Sequence, residues 1–385
     1  MSIVYLDNSA TTAVCQAAVD KAAYMMTTCY GNPSSLHRLG FEAERELDAA
    51  KQAVADLIGA PKERIFFTSG GTEANNLAVI GAAHALQRRG KHIVITATEH
   101  SSVLAACDRL EKEGFSVTRL TPNENGTITA TAIAAACRED TIVVSVMLVN
   151  NETGARYAID KAVPFIRKKA PLAFIHCDAV QAAGKLPIAA TRWQVDALTV
   201  SAHKLHAPKG CGALYLRKGV RILPRQFGGK QQDGIRPGTE AAPLIAAFGA
   251  SINALPSLAE QQAHFENLQR ILLERLSTLQ GVVVHRFEGA VPYIVHLSVP
   301  GLRSETILHF LSQKDVFVSS GSACSKGAPS PVLAAFGMPN EEIDSAIRVS
   351  LSHTNTEEDI HRFADALQEA MQSLASKTSR KETRV

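Results

Sequence analysis

Through the middle of this 385-residue chain, short β-branched runs alternate with longer stretches in which apolar residues recur at helical spacing. The runs 65–68, 92–96, 115–120, 141–147, 172–177, 197–201 and 213–216 predict seven strands. Between several of them, 72–89, 101–114, 130–138 and 159–169 predict helices. Strands apolar on both faces and joined by helices belong to a mostly parallel sheet covered on each side, so the fold class is α/β with a seven-stranded sheet. Ligand chemistry in such a sheet sits at the carboxyl ends of the strands.

Beyond about residue 250 the pattern changes. A helix over 257–280 repeats Leu258, Phe265, Leu268, Leu272, Leu276 and Leu279 on one face. Strand-like runs follow at 282–287, 292–299, 316–319 and 346–352, with helices over 304–314 and 357–374. The expected division is a large α/β domain over 15–250, a smaller α+β domain formed by 1–14 with 251–376, and a flexible polar tail over 377–385.

Composition narrows the function classes. Hydrophobic residues make up 46% and charged residues 20%, without the long apolar run that a membrane helix needs. Forty Lys and Arg against thirty-seven Asp and Glu leave a net charge of +3, too small a surplus to announce a nucleic-acid surface. The seven cysteines (15, 29, 107, 137, 177, 211 and 324) form no CxxC pair and read as reduced thiols. With no basic, apolar leader pattern at the first residues, the expected location is cytoplasmic.

Three features at predicted strand ends carry candidate chemistry. The turn Ser69-Gly70-Gly71-Thr72-Glu73 follows a strand and opens a helix, where free N–H groups favour a phosphate; alone, it is equally a Gly-rich turn with a Thr cap. Asp178 ends the run 172–177 with Gln181 three residues on, and a buried carboxylate there calls for a cationic partner. Lys204 closes Ser201-Ala202-His203-Lys204, a segment poor in other charges, where an amine is placed for a depressed pKa and carbonyl chemistry. Taken singly it reads as a surface lysine. A covalent lysine, a carboxylate for a ring nitrogen and an anion site together match pyridoxal 5'-phosphate, and His100 supplies a planar group on the same edge.

With these residues in place, the chain resembles the cysteine desulfurases of the NifS/IscS type, in the class-V aminotransferase group of fold-type I pyridoxal-phosphate enzymes. The stretches that carry the resemblance are 5–12, 31–35, 71–76, Glu99-His100, 149–154, 178–181, 201–204, 236–239 and 319–324, which together span nearly the whole chain. The resemblance implies that Lys204 holds the cofactor covalently, Asp178 pairs with the ring nitrogen, Gln181 and Asn151 contact its polar edge, and His100 stacks on it. Gly71, Thr72, Ser201 and His203 are implied as phosphate contacts, with Thr239 reaching in from the other subunit of a homodimer. Arg348 is implied to clamp the substrate carboxylate, its bland reading being a surface-strand arginine.

Cys324 stands apart from the other six thiols in the polar loop 319–327. By resemblance it is the nucleophile that takes sulfur from L-cysteine as a persulfide, leaving L-alanine, and passes it to an acceptor protein such as an iron–sulfur scaffold or a thiolation enzyme. No intrinsic metal site is implied, Cys324 being at most a transient iron–sulfur ligand. The spacer after Cys324 is about two residues shorter than the family pattern, and Lys230 stands where a third Gly is common. Two alternatives remain open at this level. One is a selenocysteine lyase, in which Cys324 matters less; the other is a non-catalytic sulfur-relay or scaffold-docking protein on the same fold.

Overall fold

The computed structural model describes residues 3–320 and 330–382, with side chains described as far as Leu374. The N-terminal segment contributes β1 (Val4–Tyr5), after which helices Gln16–Thr27 and Arg38–Ile58 lead to β2 (Ile65–Thr68). The α/β part continues with β3 (His92–Thr96), β4 (Ser116–Leu120), β5 (Thr141–Met147), β6 (Phe174–Asp178), β7 (Ala197–Ser201) and β8 (Gly212–Leu216). These seven strands form one sheet in the order β2-β8-β7-β6-β5-β3-β4. β8 runs against the direction of the other six strands, so the sheet is mostly parallel.

All residues of β2, β3 and β5 to β8 are buried, while edge strand β4 is half-exposed. This is the burial expected of a parallel sheet covered on both faces. Helices Gly71–Leu86, Ser101–Lys112, Ala130–Ala135 and Ile159–Lys169 provide much of the cover. Their sequence-predicted counterparts run two to three residues longer at the carboxyl ends in the first three, where tight turns end the helices. The order β7-β6-β5 brings the carboxyl ends of those strands side by side, and in register Met147 faces Asp178, which faces Thr199.

Helix Ala242–Asn253 packs on Gln16–Thr27 and Arg38–Ile58 and leads to helix Leu258–Ser277, which Ser257 and Glu260 start with a reciprocal capping box. The remaining strands are β9 (Val283–His285), β10 (Ile294–Ser298), β11 (Val316–Phe317) and β12 (Ala346–Ser350). An antiparallel sheet β12-β10-β9 forms beside a parallel pair in which β1 lies along β11. The N-terminal segment therefore joins the C-terminal strands, and Asp7 bridges to Ser350 before the chain crosses to the large sheet. The last helix is Glu357–Glu382, extending into the stretch that composition assigns to a tail. Among the described residues no single helix is long and apolar enough to cross a membrane.

Candidate active site

A cavity of about 450 Å³ opens where the carboxyl ends of β5, β6 and β7 meet the N-terminal segment and β12. β7 delivers Lys204. The strand ends at Ser201 and a single 3-10 turn, Ala202–Lys204, directs the lysine into the cavity, with only 8% of the residue exposed. Its Nζ donates to the carbonyl oxygen of Ala10 at 2.6 Å and also to that of Ser9. Among the described residues no carboxylate pairs with it. Burial, reinforced by the positive charges of Arg348 and Lys185, pushes the amine down to about 7.

Asp178 ends β6 with its Oδ2 accepting from Asn75 Nδ2 at 2.7 Å and its Oδ1 from the backbone N–H of Val180 at 3.0 Å. The cationic partner that its burial calls for in sequence is thus replaced, in this chain's own contacts, by two neutral donors. Asn75 lies one helical turn past Gly71 and was not legible as a site residue. His100 caps helix Ser101–Lys112 by accepting from the N–H of Ser102 at Nδ1, which places the ring proton on Nε2. Burial holds this imidazole below its usual pKa, so it presents a neutral planar face.

The corner expected from sequence to hold an anion forms where helix Gly71–Leu86 starts against the end of β7. Gly71, Thr72, Ser201 and His203 all line the cavity there. Close packing needs Gly212, since a Cβ on it would lie 2.7 Å from Gly70 Cα. Glu73 anchors the turn, accepting from Ser69 N at 2.6 Å and from Arg236 Nε at 3.0 Å. The His203 imidazole, pushed down to about 4 chiefly by burial and by Lys204, is neutral near pH 7.

On the opposite wall, Arg348 is only 2% exposed, which excludes the surface-strand reading. Its Nη2 pairs with Asp7 Oδ1 at 2.7 Å and its Nη1 donates to the carbonyl of Asn151 at 2.8 Å. Gln181 Nε2 donates to Ser9 O at 3.0 Å and also lines the cavity. Two carboxyls that also line the cavity carry no role in the sequence reading. Glu99 accepts from Thr96 Oγ1 at 2.7 Å and Met147 N at 2.8 Å, and burial pushes it up to about 8. Glu152, pushed up to about 7 by burial, accepts from Ser330 Oγ at 2.7 Å.

The cavity contains polar atoms that the protein leaves unmatched. Asn75 Oδ1, Glu99 Oε2, Ser201 Oγ and Arg348 Nε are buried without a partner among the described residues, and all four residues line the cavity. Buried polar groups are nearly always hydrogen-bonded, so this concentration marks a place for a polar ligand. Ser201 Oγ stands in the anion corner and Arg348 Nε on the opposite side.

Ten sequence-predicted residues thus converge: Gly71, Thr72, His100, Asn151, Asp178, Gln181, Ser201, His203, Lys204 and Arg348. Thr239 is exposed and does not line the cavity of its own chain. Cys324 lies outside the described residues, but the residues flanking 321–329 reach the site: Ser319 pairs with Arg348 through both backbone groups, and Pro331 and Val332 line the cavity. The six described thiols do not line it.

The profile described as Aminotransferase class-V matches residues 4–363. A relative named Cysteine desulfurase IscS, from Serratia proteamaculans, is 41% identical over 366 residues, covering 93% of this chain and 90% of that protein. The solved structure titled NifS-like protein superposes with a TM-score of 0.91 at 34% identity, covering 96% of this chain and 100% of that one. Another, titled SspA in complex with cysteine, gives a TM-score of 0.79 at 31% identity over 90% of this chain and 98% of that one. With the strand-end lysine, the carboxylate and the buried arginine gathered on one cavity of this fold, the chain belongs to the class-V aminotransferase family, among its cysteine desulfurases.

Proposed function

We propose that this cysteine desulfurase takes the sulfur of L-cysteine onto Cys324 and releases L-alanine, with Lys204 as its cofactor-bearing lysine and proton carrier. The observation that supports these roles is the buried Lys204 amine, pushed down to about 7, in the same cavity as Asp178, His100 and Arg348. Pyridoxal phosphate, which the family implies, fits the unmatched polar atoms of this cavity. When bound, it supplies an electron sink that acidifies the substrate Cα–H.

Lys204 would hold the cofactor covalently, Asp178 the proton on its ring nitrogen, and His100 the face of the ring, with Asn151 and Gln181 at its polar edge. Gly71, Thr72, Ser201 and His203 would hold the phosphate, joined by Thr239 of a neighbouring subunit. Arg348 orients the substrate carboxylate, a role supported by a guanidinium that lines the cavity and leaves its Nε unpartnered. Lys204, neutral in part near pH 7, takes the proton from the substrate Cα. Cys324 attacks the substrate sulfur as a thiolate. Overall the substrate C–S bond breaks, an S–S bond forms on Cys324, and its thiol hydrogen is balanced by the hydrogen gained at the substrate Cβ. The persulfide sulfur then passes to an acceptor thiol, on an iron–sulfur scaffold or a thiolation enzyme.

Borohydride reduction of the cofactor-loaded protein followed by peptide mass spectrometry should find the pyridoxyl group on Lys204. A label on another lysine overturns that assignment. Cys324→Ser should still bind cofactor and cysteine but form no persulfide. Full cysteine desulfuration by that variant would instead favour the selenocysteine lyase reading, which turnover on selenocysteine would then confirm.

A further inference from the structure

Directly behind Lys204 lies a second buried lysine that the proposed reaction does not use. Lys185 is 7% exposed, and its Nζ donates to the backbone carbonyl of Lys204 at 3.3 Å. The same ammonium sits 5.5 Å from the centre of the buried Tyr293 ring, whose electron-rich face attracts a cation. Among the described residues no carboxylate pairs with it. A buried cation without a counter-charge is costly, and its persistence here calls for a local role.

The chain is shaped to bring it there. Lys185 follows Gly184, whose φ of +71° and lack of a Cβ allow close contact: a Cβ there would lie 2.5 Å from Leu205 Cδ2. Gln261 Nε2 fixes the turn by donating to Gly184 O at 2.8 Å. Asp178, Gln181 and Lys185 therefore come from one segment leaving β6, and this segment also supports the turn that bears Lys204.

We propose that Lys185 is a positioning residue for Lys204, holding its backbone carbonyl while its unpaired positive charge opposes a second positive charge on the Lys204 side chain. This deepens the reading of Lys204 as the cofactor-bearing lysine and rests on it for its meaning. The groups facing Lys185 support the sign. Lys204, Tyr293 and the edge-on pair His206 and His353, whose rings are 4.5 Å apart, bring no negative charge at neutral pH. Burial pushes His206 down to about 4, and Lys185 itself to about 8, which leaves the lysine mostly protonated at pH 7. Around Lys204, Asp7 and Asp178 act in the opposite sense, favouring its ammonium form, while Arg348 acts with Lys185.

The test uses the full chain stripped of cofactor, so that it reads the amine itself. Acetic anhydride competes for lysines across a pH series, and mass spectrometry quantifies acetylation of the peptide containing Lys204. Lys185→Met and Lys185→Gln should raise the midpoint pH of Lys204 labelling by about one unit, leaving about fivefold less free amine at pH 7. Lys185→Arg, which keeps the charge, should stay close to the unsubstituted chain. An unchanged midpoint in the folded Met or Gln variant overturns the proposal, as does an Arg variant that shifts as far as they do. Failure of both neutral variants to fold also overturns it, because the lysine is then a structural ion. The readout is independent of where borohydride places the cofactor, so failure here and failure of the Lys204 assignment are distinguishable.

Discussion

Asn75 Nδ2 donates to Asp178 Oδ2 at 2.7 Å, while the other end of the same amide, Oδ1, is buried without a partner among the described residues. The asparagine also donates to Ser102 Oγ at 2.9 Å, so one side chain links the carboxylate to the first turn of helix Ser101–Lys112. Removing it takes a donor from a buried charge, a loss of about 1.5–3 kcal/mol for a charge-assisted bond. Asn75→Ala should therefore destabilise the cofactor-free chain by that order in urea unfolding. A cofactor whose ring nitrogen donates to Asp178 replaces part of the lost bond, so the loaded protein should lose less. Equal losses in both forms would separate Asn75 from the cofactor site.

Glu99 gives a pH prediction of definite sign. Its carboxyl is pushed up to about 8 by burial, so between the unfolded value near 4.5 and the folded one the native state holds the extra proton. Stability from this group is complete below the lower value and falls as pH rises through the window, by up to about 1.4 kcal/mol per pH unit. Glu99→Gln preserves an oxygen for Thr96 and Met147 and removes the ionisation. Its unfolding midpoint should decline less between pH 6 and pH 8 than that of the unsubstituted chain, as followed by circular dichroism. Parallel declines would show that Glu99 does not titrate in that range.

Arg348 offers a split between binding and turnover. Its buried guanidinium already holds Asp7 and the Asn151 carbonyl, while its Nε has no partner among the described residues, and the proposed reading gives this arginine the substrate carboxylate. Lysine, a single point charge, cannot hold Asp7 and the Asn151 carbonyl as the guanidinium fork does and still offer a donor to the substrate. Both Arg348→Ala and Arg348→Lys should raise KM for cysteine by about tenfold or more, corresponding to a lost charged hydrogen bond of about 1.5–3 kcal/mol. Asp7→Asn, which loosens the arginine without removing it, should have a smaller effect. An unchanged KM in Arg348→Lys would end the carboxylate assignment.

The strand ends were legible in sequence because parallel strands buried on both faces read as continuous apolar runs, and chemistry-bearing residues such as Asp178 and Lys204 interrupt them. Helices Gln16–Thr27, Arg38–Ile58 and Ala242–Asn253 were not read out. Their contacts rely heavily on Ala18, Ala43, Ala50 and Gly249, small residues whose periodicity is weak, and a Cβ on Gly249 would lie 2.7 Å from Ala50 Cα. The partners of the site residues were hidden for another reason. Lys204 meets Ser9 and Ala10, and Asp178 meets Asn75, only after distant segments are folded together.

Thr239 leads to a prediction about assembly. It is exposed and away from its own chain's cavity, in the Gly/Pro-shaped stretch Arg236-Pro237-Gly238-Thr239, whose Arg236 nevertheless bonds Glu73 at the base of the anion corner. If Thr239 completes the phosphate site of a neighbouring subunit, cofactor binding and dimer formation are linked, since a ligand that binds only the paired form stabilises it. Thr239→Arg should obstruct the neighbour's site, and Lys204→Ala should disable its own. In a heterodimer of the two chains, one site is spoiled twice, by the missing lysine and by the arginine arriving from the partner. The other keeps Lys204 and receives a native Thr239. Mixing two inactive parents should then restore about one working site per heterodimer, half the sites of the unsubstituted dimer, provided that the sites act independently. Alanine formation after subunit exchange, with heterodimers counted by native mass spectrometry, measures this. Heterodimers that form without recovering activity would place Thr239 outside the shared site, because a threonine acting only within its own chain leaves both sites of the mixed pair defective.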